Sequence, residues 1–166
     1  SIRRQRQMCI RDSDYDDEVL AQLDYVIAAI HQSFNQSEDE IMKRLEVACK
    51  NPYVRHIAHP TGRIIGRRPG YKPNIEKLMK LAEETNTILE INANPKRLDL
   101  NAETVRKYPN VKLTINTDAH HTNHLEFMKY GVATAQKGFV TKDRVINALS
   151  REEFKSLVEN NIKLKK

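Results

Sequence analysis

The chain has 166 residues, 39% of them hydrophobic, with two cysteines and a formal net charge of +6. That is room for one soluble domain with a proper core; a disulfide framework is excluded, and no apolar run approaches the roughly 20 residues that cross a bilayer. The charge is no nucleic-acid footprint by itself, because it gathers at the ends: Arg3, Arg4, Arg6 and Arg11 precede the first acid, Asp12, and Lys163, Lys165 and Lys166 close the chain. Such runs are typical of solvated tails. The basic opening has no apolar core behind it, so no signal peptide is expected, and two isolated cysteines fit a reducing cytoplasm.

Residues 1–13 show neither helical nor strand period and no cap, and are set outside the fold as non-native or disordered; a genuine basic arm is the alternative. Asp14–Leu23 reads as a short helix or turn. Tyr25–Ile30 is a continuous apolar run of strand length, suited to a parallel strand covered on both faces, and it runs into His31. Ser37 and Glu40 form a capping box ahead of a helix with Ile41, Leu45 and Ala48 on one face, ended by Asn51-Pro52. Val54–Ala58 is the second strand, running into His59-Pro60. A long Gly- and Arg-rich loop follows to Pro73, either a functional loop or a solvent-exposed connector. Asn74 caps a helix with Ile75, Leu78, Met79 and Ala82 inward. Thr87–Ile91 is the third strand, Asn101–Tyr108 a short helix, and Val111–Ile115 the fourth strand, ending at Thr117-Asp118-Ala119-His120. Thr122–Lys129 reads as a helix stopped by Gly131, Val132–Ala135 as a weak fifth strand, Thr141–Leu149 as a helix, and Ser150 with Glu153 as the box of a last helix. Strand and helix alternate, so the class is α/β with a mainly parallel sheet.

Three apolar strands thus end in a His or an Asp-x-His. In a parallel sheet such ends lie side by side, and side chains there converge on one site. A lone His after a strand is usually a hydrogen-bonded structural residue; four candidates in one structural position, His31, His59, Asp118 and His120, make the material of a divalent-metal site. Imidazole with carboxylate suits Zn²⁺, Mn²⁺ or Fe²⁺ rather than the all-oxygen shells of Ca²⁺ and Mg²⁺. His56 lies inside a strand and reads as structural, His121 as a supporting neighbour, His124 as a helix residue. Ser33 and Thr61 have no base at readable spacing, which disfavours a nucleophilic triad. Arg63 and Arg67, with Arg68, lie in the loop after His59. Beside a metal site their guanidinium forks read as phosphate binders, Arg63 and Arg67 above all.

These stretches, DYVIAAIHQSF at 24–34, HPTGR at 59–63, LEINANP at 89–95 with Arg97-Leu98-Asp99, and NTDAH at 116–120, together resemble a PHP (polymerase and histidinol phosphatase) domain, most of all the C-terminal PHP domain of bacterial family X DNA polymerases. The resemblance runs from about Asp14 to the C-terminus and implies part of a distorted, seven-stranded β/α barrel with parallel strands and outer helices, holding up to three metal ions, Mn²⁺ or Zn²⁺. By match, His31 and His59 ligate one ion, while Asp118 and His120 each serve a metal and take part in catalysis. The implied activity is Mn²⁺-dependent 3′–5′ exonuclease and phosphodiesterase action on DNA ends, in a cytoplasmic DNA-repair protein. The implied partners are DNA 3′ ends and the polymerase core of the same parent chain, with no membrane. The family's opening His-x-His motif, two further His and a bridging Glu before the DYVI strand have no match here. Asp12 and Glu18 are not substitutes for them, and Glu90 is not counted as a ligand. The expectation is therefore a partial PHP domain over 14–166, truncated and inactive alone. The competing readings are a histidinol-phosphate-type phosphatase and a non-catalytic PHP scaffold.

Overall fold

Each of the four apolar runs forms a strand in a computed structural model, which describes the backbone of residues 6–9 and 15–165 and the side chains of residues 15–159. Strand β1 is Arg6–Cys9, followed by helix α1 (Asp17–Leu20), β2 (Val26–Ala29), α2 (Glu38–Lys50), β3 (Val54–Ile57), α3 (Ile75–Glu84), β4 (Ile88–Asn92), α4 (Ala102–Lys107) and β5 (Leu113–Asn116). The five strands form one sheet in the order β1-β2-β3-β4-β5, every pairing parallel. Helical crossovers explain the strand composition. Every residue of β3 and of β4 is buried, as suits the central strands of a parallel sheet. This is the α/β architecture expected of part of a β/α barrel.

Local chemistry sets the helix starts. Ser37 Oγ accepts from the Glu40 N–H while Glu40 accepts from the Ser37 N–H, the reciprocal box that satisfies two orphan donors of α2. Asn74 Oδ1 accepts from Lys77 N at 3.0 Å and Asn101 Oδ1 from Thr104 N at 2.8 Å. The faces that follow bury Ile41, Leu45 and Ala48 from α2 and Leu78, Met79 and Ala82 from α3 against Val54, Ile57, Leu89 and Ile91 of the sheet.

Three expectations differ from the fold. Val132–Ala135 is not a strand: the chain runs through a 3₁₀ segment (Thr122–Phe127) into α5 (Met128–Lys137), with Gly131 inside the helix. Gly131 does not stop the helix but brings it close to the sheet, since a Cβ there would lie 2.5 Å from Ile115 Cγ2 and 2.7 Å from Ala93 Cβ. Thr141–Leu149 is not one helix but two 3₁₀ turns, Lys142–Arg144 and Ile146–Ala148. Asn147 uses the second turn to reach β5, donating Nδ2 to Ile115 O at 2.8 Å and accepting from Ile115 N at 3.1 Å. One side-chain amide thereby stands in for the next strand and blunts that edge. Arg144, buried, donates to the carbonyl oxygens of Val105, Tyr108 and Val111 and so closes the end of α4. Lastly, of the residues 1–13 set outside the fold, Arg6–Cys9 pairs in parallel with β2 on one side, because a main-chain ladder needs no apolar period; the remainder lie outside the described residues. The last helix, α6, spans Arg151–Lys165, with Ser150 and Glu153 forming its expected box. No helix among the described residues is long and apolar enough to cross a membrane.

Candidate metal and phosphate site

With all strands parallel, the chain leaves β2 toward His31, β3 toward His59, β4 toward Asn94 and β5 toward Asp118 at one edge of the sheet. Backbone strain gathers there. His59 (φ 32°), Leu98 (φ 47°) and Asp118 (φ 52°) all take the left-handed conformation without being glycine, at a cost of roughly 1–3 kcal/mol each. The surroundings hold His59 in place. Its N–H donates to Glu90 Oε2 at 2.6 Å, and its carbonyl oxygen accepts from Gly62 N at 2.8 Å and Tyr71 Oη at 3.1 Å.

Glu90 is the centre of this hold. It lies on β4, 4% exposed, and accepts from Asn92 Nδ2 (3.1 Å) and Asn116 Nδ2 (3.1 Å) besides His59 N. Burial pushes its carboxyl up to about 7 in spite of the three donors that favour the charged form. One carboxylate thus ties the ends of β3, β4 and β5 together.

A second buried acid, Asp99, ties the loops above. Its Oδ2 accepts from both the N–H and the Oγ1 of Thr61, each at 2.8 Å, and burial raises its pKa against those bonds. Arg63 reaches the same loop. It donates Nε to Arg97 O at 2.6 Å and Nη2 to Leu98 O. The turn after His59 and the Arg97-Leu98-Asp99 turn are therefore clamped by side chain to main chain. Arg97, held by this clamp, forms an ion pair with Asp118, Nε to Oδ2 at 2.8 Å, both side chains being less than a fifth exposed.

Of the four candidate ligands, the fold brings two imidazoles face to edge. The His31 and His59 ring centroids are 5.1 Å apart. Burial, then the charges of Arg97 and His31, push the His59 imidazole down to about 4, with Asp118 acting the other way. The ring is therefore neutral at pH 7, the form that can ligate a metal. His120 is not brought to this pair. Its side chain is 76% exposed, with Nδ1 at 2.7 Å from the Asp118 carbonyl oxygen and 4.0 Å from Asp118 Oδ1. The donor set is of the imidazole–carboxylate kind that borderline divalent ions prefer. Its assembly is partial: among the described residues no three His, Cys, Asp or Glu side chains group closely enough to hold an ion, and Asp118 is taken by Arg97.

His56 is buried inside β3, bonded through Nε2 to Thr114 Oγ1 at 2.9 Å, as its place in a strand implies. His121 caps the 3₁₀ segment by accepting from Asn123 N, and His124 stacks on Phe127 with centroids 4.9 Å apart. Arg67 is exposed at the loop tip, beside a shallow depression of about 330 Å³ that Arg63 and Arg68 also line. Sequence reasoning passed over Glu90, Arg97 and Asp99 as site residues. The available signal was a charge inside the run Ile88–Ile91, whose other three residues are apolar, since a buried charge needs partners.

No family model matches the chain. Over 150 residues it is 53% identical to the DNA polymerase/3′-5′ exonuclease PolX of Bacillus subtilis (strain 168), covering 89% of this chain and 26% of that protein. A probable phosphatase of Thermoanaerobacter sp. (strain X514) is 28% identical over 145 residues, 81% of this chain and 57% of the relative. A probable phosphatase of Caldanaerobacter subterraneus subsp. tengcongensis is 39% identical over 82 residues, 48% of this chain and 30% of the relative. The chain therefore spans between about a quarter and somewhat over half of these relatives. The PolX match, at 53% identity over 89% of this chain, bears out the resemblance to part of a bacterial family X DNA polymerase that the strand-end motifs carry.

Proposed function

We propose that the chain is part of a metal-dependent phosphoesterase that removes nucleotides from DNA 3′ ends, working beside a polymerase core in a cytoplasmic parent polypeptide. The observation that carries the reading is the His31–His59 ring pair, 5.1 Å between centroids, set beside Asp118 at the shared strand edge. Imidazole nitrogens of His31 and His59 would hold a Mn²⁺ or Zn²⁺ ion, with Asp118 and His120 serving a neighbouring position. Such an ion activates water and stabilises the leaving oxygen of a phosphoester. The chain's own contribution is positional. Glu90 fixes the strained His59 backbone, and the Thr61–Asp99 bonds fix the turn that follows it. Arg63, through the part of its guanidinium not given to Arg97 O and Leu98 O, and Arg67 from the loop tip would meet outer phosphates of the strand.

On this reading the 166-residue chain alone has an incomplete ion shell and little nuclease activity, because His31 and His59 offer two donors and Asp118 is shared with Arg97. The relatives named as probable phosphatases favour a second reading, hydrolysis of a small phosphomonoester of the histidinol-phosphate kind. Both are tested in the intact parent protein with Mn²⁺, by following nucleotide release from a labelled DNA 3′ end and phosphate release from a small monoester. The first reading expects nucleotide release that Asp118→Ala abolishes. Monoester hydrolysis alone supports the second. Neither activity, with no metal retained, leaves a scaffold and refutes both.

A further inference from the structure

The four arginines around this edge differ in what their guanidinium groups have left to give. Arg63 spends Nε and Nη2 on the carbonyl oxygens of Arg97 and Leu98. Arg68 spends Nε and Nη2 on Gly62 O, at 3.1 and 2.8 Å, and lies over the Phe34 ring at 3.9 Å. Arg67 is exposed at the loop tip. Arg97 is different. Its Nε is held by Asp118 at 2.8 Å, while Nη1 makes only a contact at the 3.5 Å limit to Arg63 O. Its charge acts on His59, Asp99 and Tyr71, all at the strand ends. The turn that carries it is set by Arg97 N and Leu98 N, which donate to Asn94 O at 2.7 and 2.9 Å.

We infer that Arg97 is the residue that binds the reacting phosphate, its Nε edge held by Asp118 and its terminal Nη edge presented to two phosphate oxygens. This deepens the phosphoesterase reading and rests on it. A planar fork anchored on one side is pre-organised for a bidentate phosphate contact on the other. Burial of most of the side chain beside a carboxylate keeps the guanidinium from swinging away when no anion is present. The selected ligand is a phosphomonoester dianion or a terminal phosphodiester, and both belong to the chemistry proposed above.

The test is calorimetric titration of the 166-residue chain with thymidine 5′-monophosphate, with thymidine as the phosphate-free control and Mn²⁺ binding measured on the same preparations. Arg97→Ala is expected to weaken nucleotide binding by at least about tenfold, the loss typical of a charged hydrogen bond. Arg97→Lys keeps the charge but not the fork, and is expected to weaken binding while leaving the melting temperature near wild type; it decides the matter if the alanine variant fails to fold. Arg106→Ala, on α4 with its guanidinium over Phe139, is expected to bind like wild type. Mn²⁺ retained in the Arg97 variants while the nucleotide is lost separates this role from the metal. Absence of Mn²⁺ in wild type with Arg97-dependent nucleotide binding refutes the metal reading and leaves the inference standing. Nucleotide binding within twofold of wild type in both Arg97 variants overturns it, as does wild-type binding of the nucleotide no stronger than of thymidine.

Discussion

Replacing Glu90 by Gln removes one ionisable group from the middle of the sheet and nearly nothing else. In the folded chain burial lifts this carboxyl from its ordinary 4.5 to about 7. Between those values the folded state holds a proton that the unfolded state has lost, so Glu90 makes stability fall as pH rises through that window. Below 4.5 the cost is absent, and above about 7 it is complete. At roughly 1.4 kcal/mol per pH unit, the full cost is about 3 kcal/mol. The wild-type profile alone will not display it, because buried His56 and His59, pushed down to about 3 and about 4, oppose it. Each of those imidazoles is neutral when folded and binds its proton only on unfolding, so each makes stability fall as pH drops below about 6.5. The difference between the two chains isolates the carboxyl. Urea unfolding at half-unit steps from pH 4.5 to 8 should show the Glu90→Gln chain gaining on wild type by about 3 kcal/mol across the range. It should start below wild type, since Gln keeps one acceptor oxygen where the carboxylate offers one to Asn116 and the other to His59, and at least one buried donor then loses its bond, costing about 1–3 kcal/mol. A difference curve flat to within about 0.5 kcal/mol would refute the reasoning, because Glu90 would then titrate as it does in the unfolded chain.

Gly131→Val should cost about 1–3 kcal/mol, since its side chain would enter space held by Ile115 and Ala93; a lower urea midpoint with unchanged slope checks it. Asp99→Ala should cost about 2–3 kcal/mol, because two donors on Thr61 lose their acceptor, and faster amide exchange at 61–63 would localise the loss. His56→Gln should flatten the fall in stability below pH 6.5, since the imidazole that must charge on unfolding is gone, as measured by urea midpoints at pH 4 to 7.

Much of the architecture was legible because it rests on local signals. The apolar runs at 25–30, 54–58, 87–91 and 111–115 have the length of parallel strands, and Ser37, Asn74 and Asn101 cap as their residue types dictate. Between residues 122 and 149 the local signals misled. Gly131 looks like a stop and is a close-packing position, while Val132–Ala135 looks like a strand and is helix. Only the tertiary contact with Ala93 and Ile115 decides between these readings. The candidate site was legible as a list of strand ends, among them His31, His59 and Asp118. Its wiring was not. That Glu90 bonds the backbone of His59, or that Arg97 rather than a loop arginine pairs with Asp118, depends on separations of 31 and 21 residues that no local pattern encodes.

The central claim is that this strand edge carries a metal-binding part of a phosphoesterase. Titration of the 166-residue chain with Mn²⁺, following free ion by electron paramagnetic resonance, tests it most directly. The account predicts weak binding to a single class of site, lost in His59→Ala and reduced in Asp118→Ala. Binding in His59→Ala equal to wild type, or none in either protein, would contradict it.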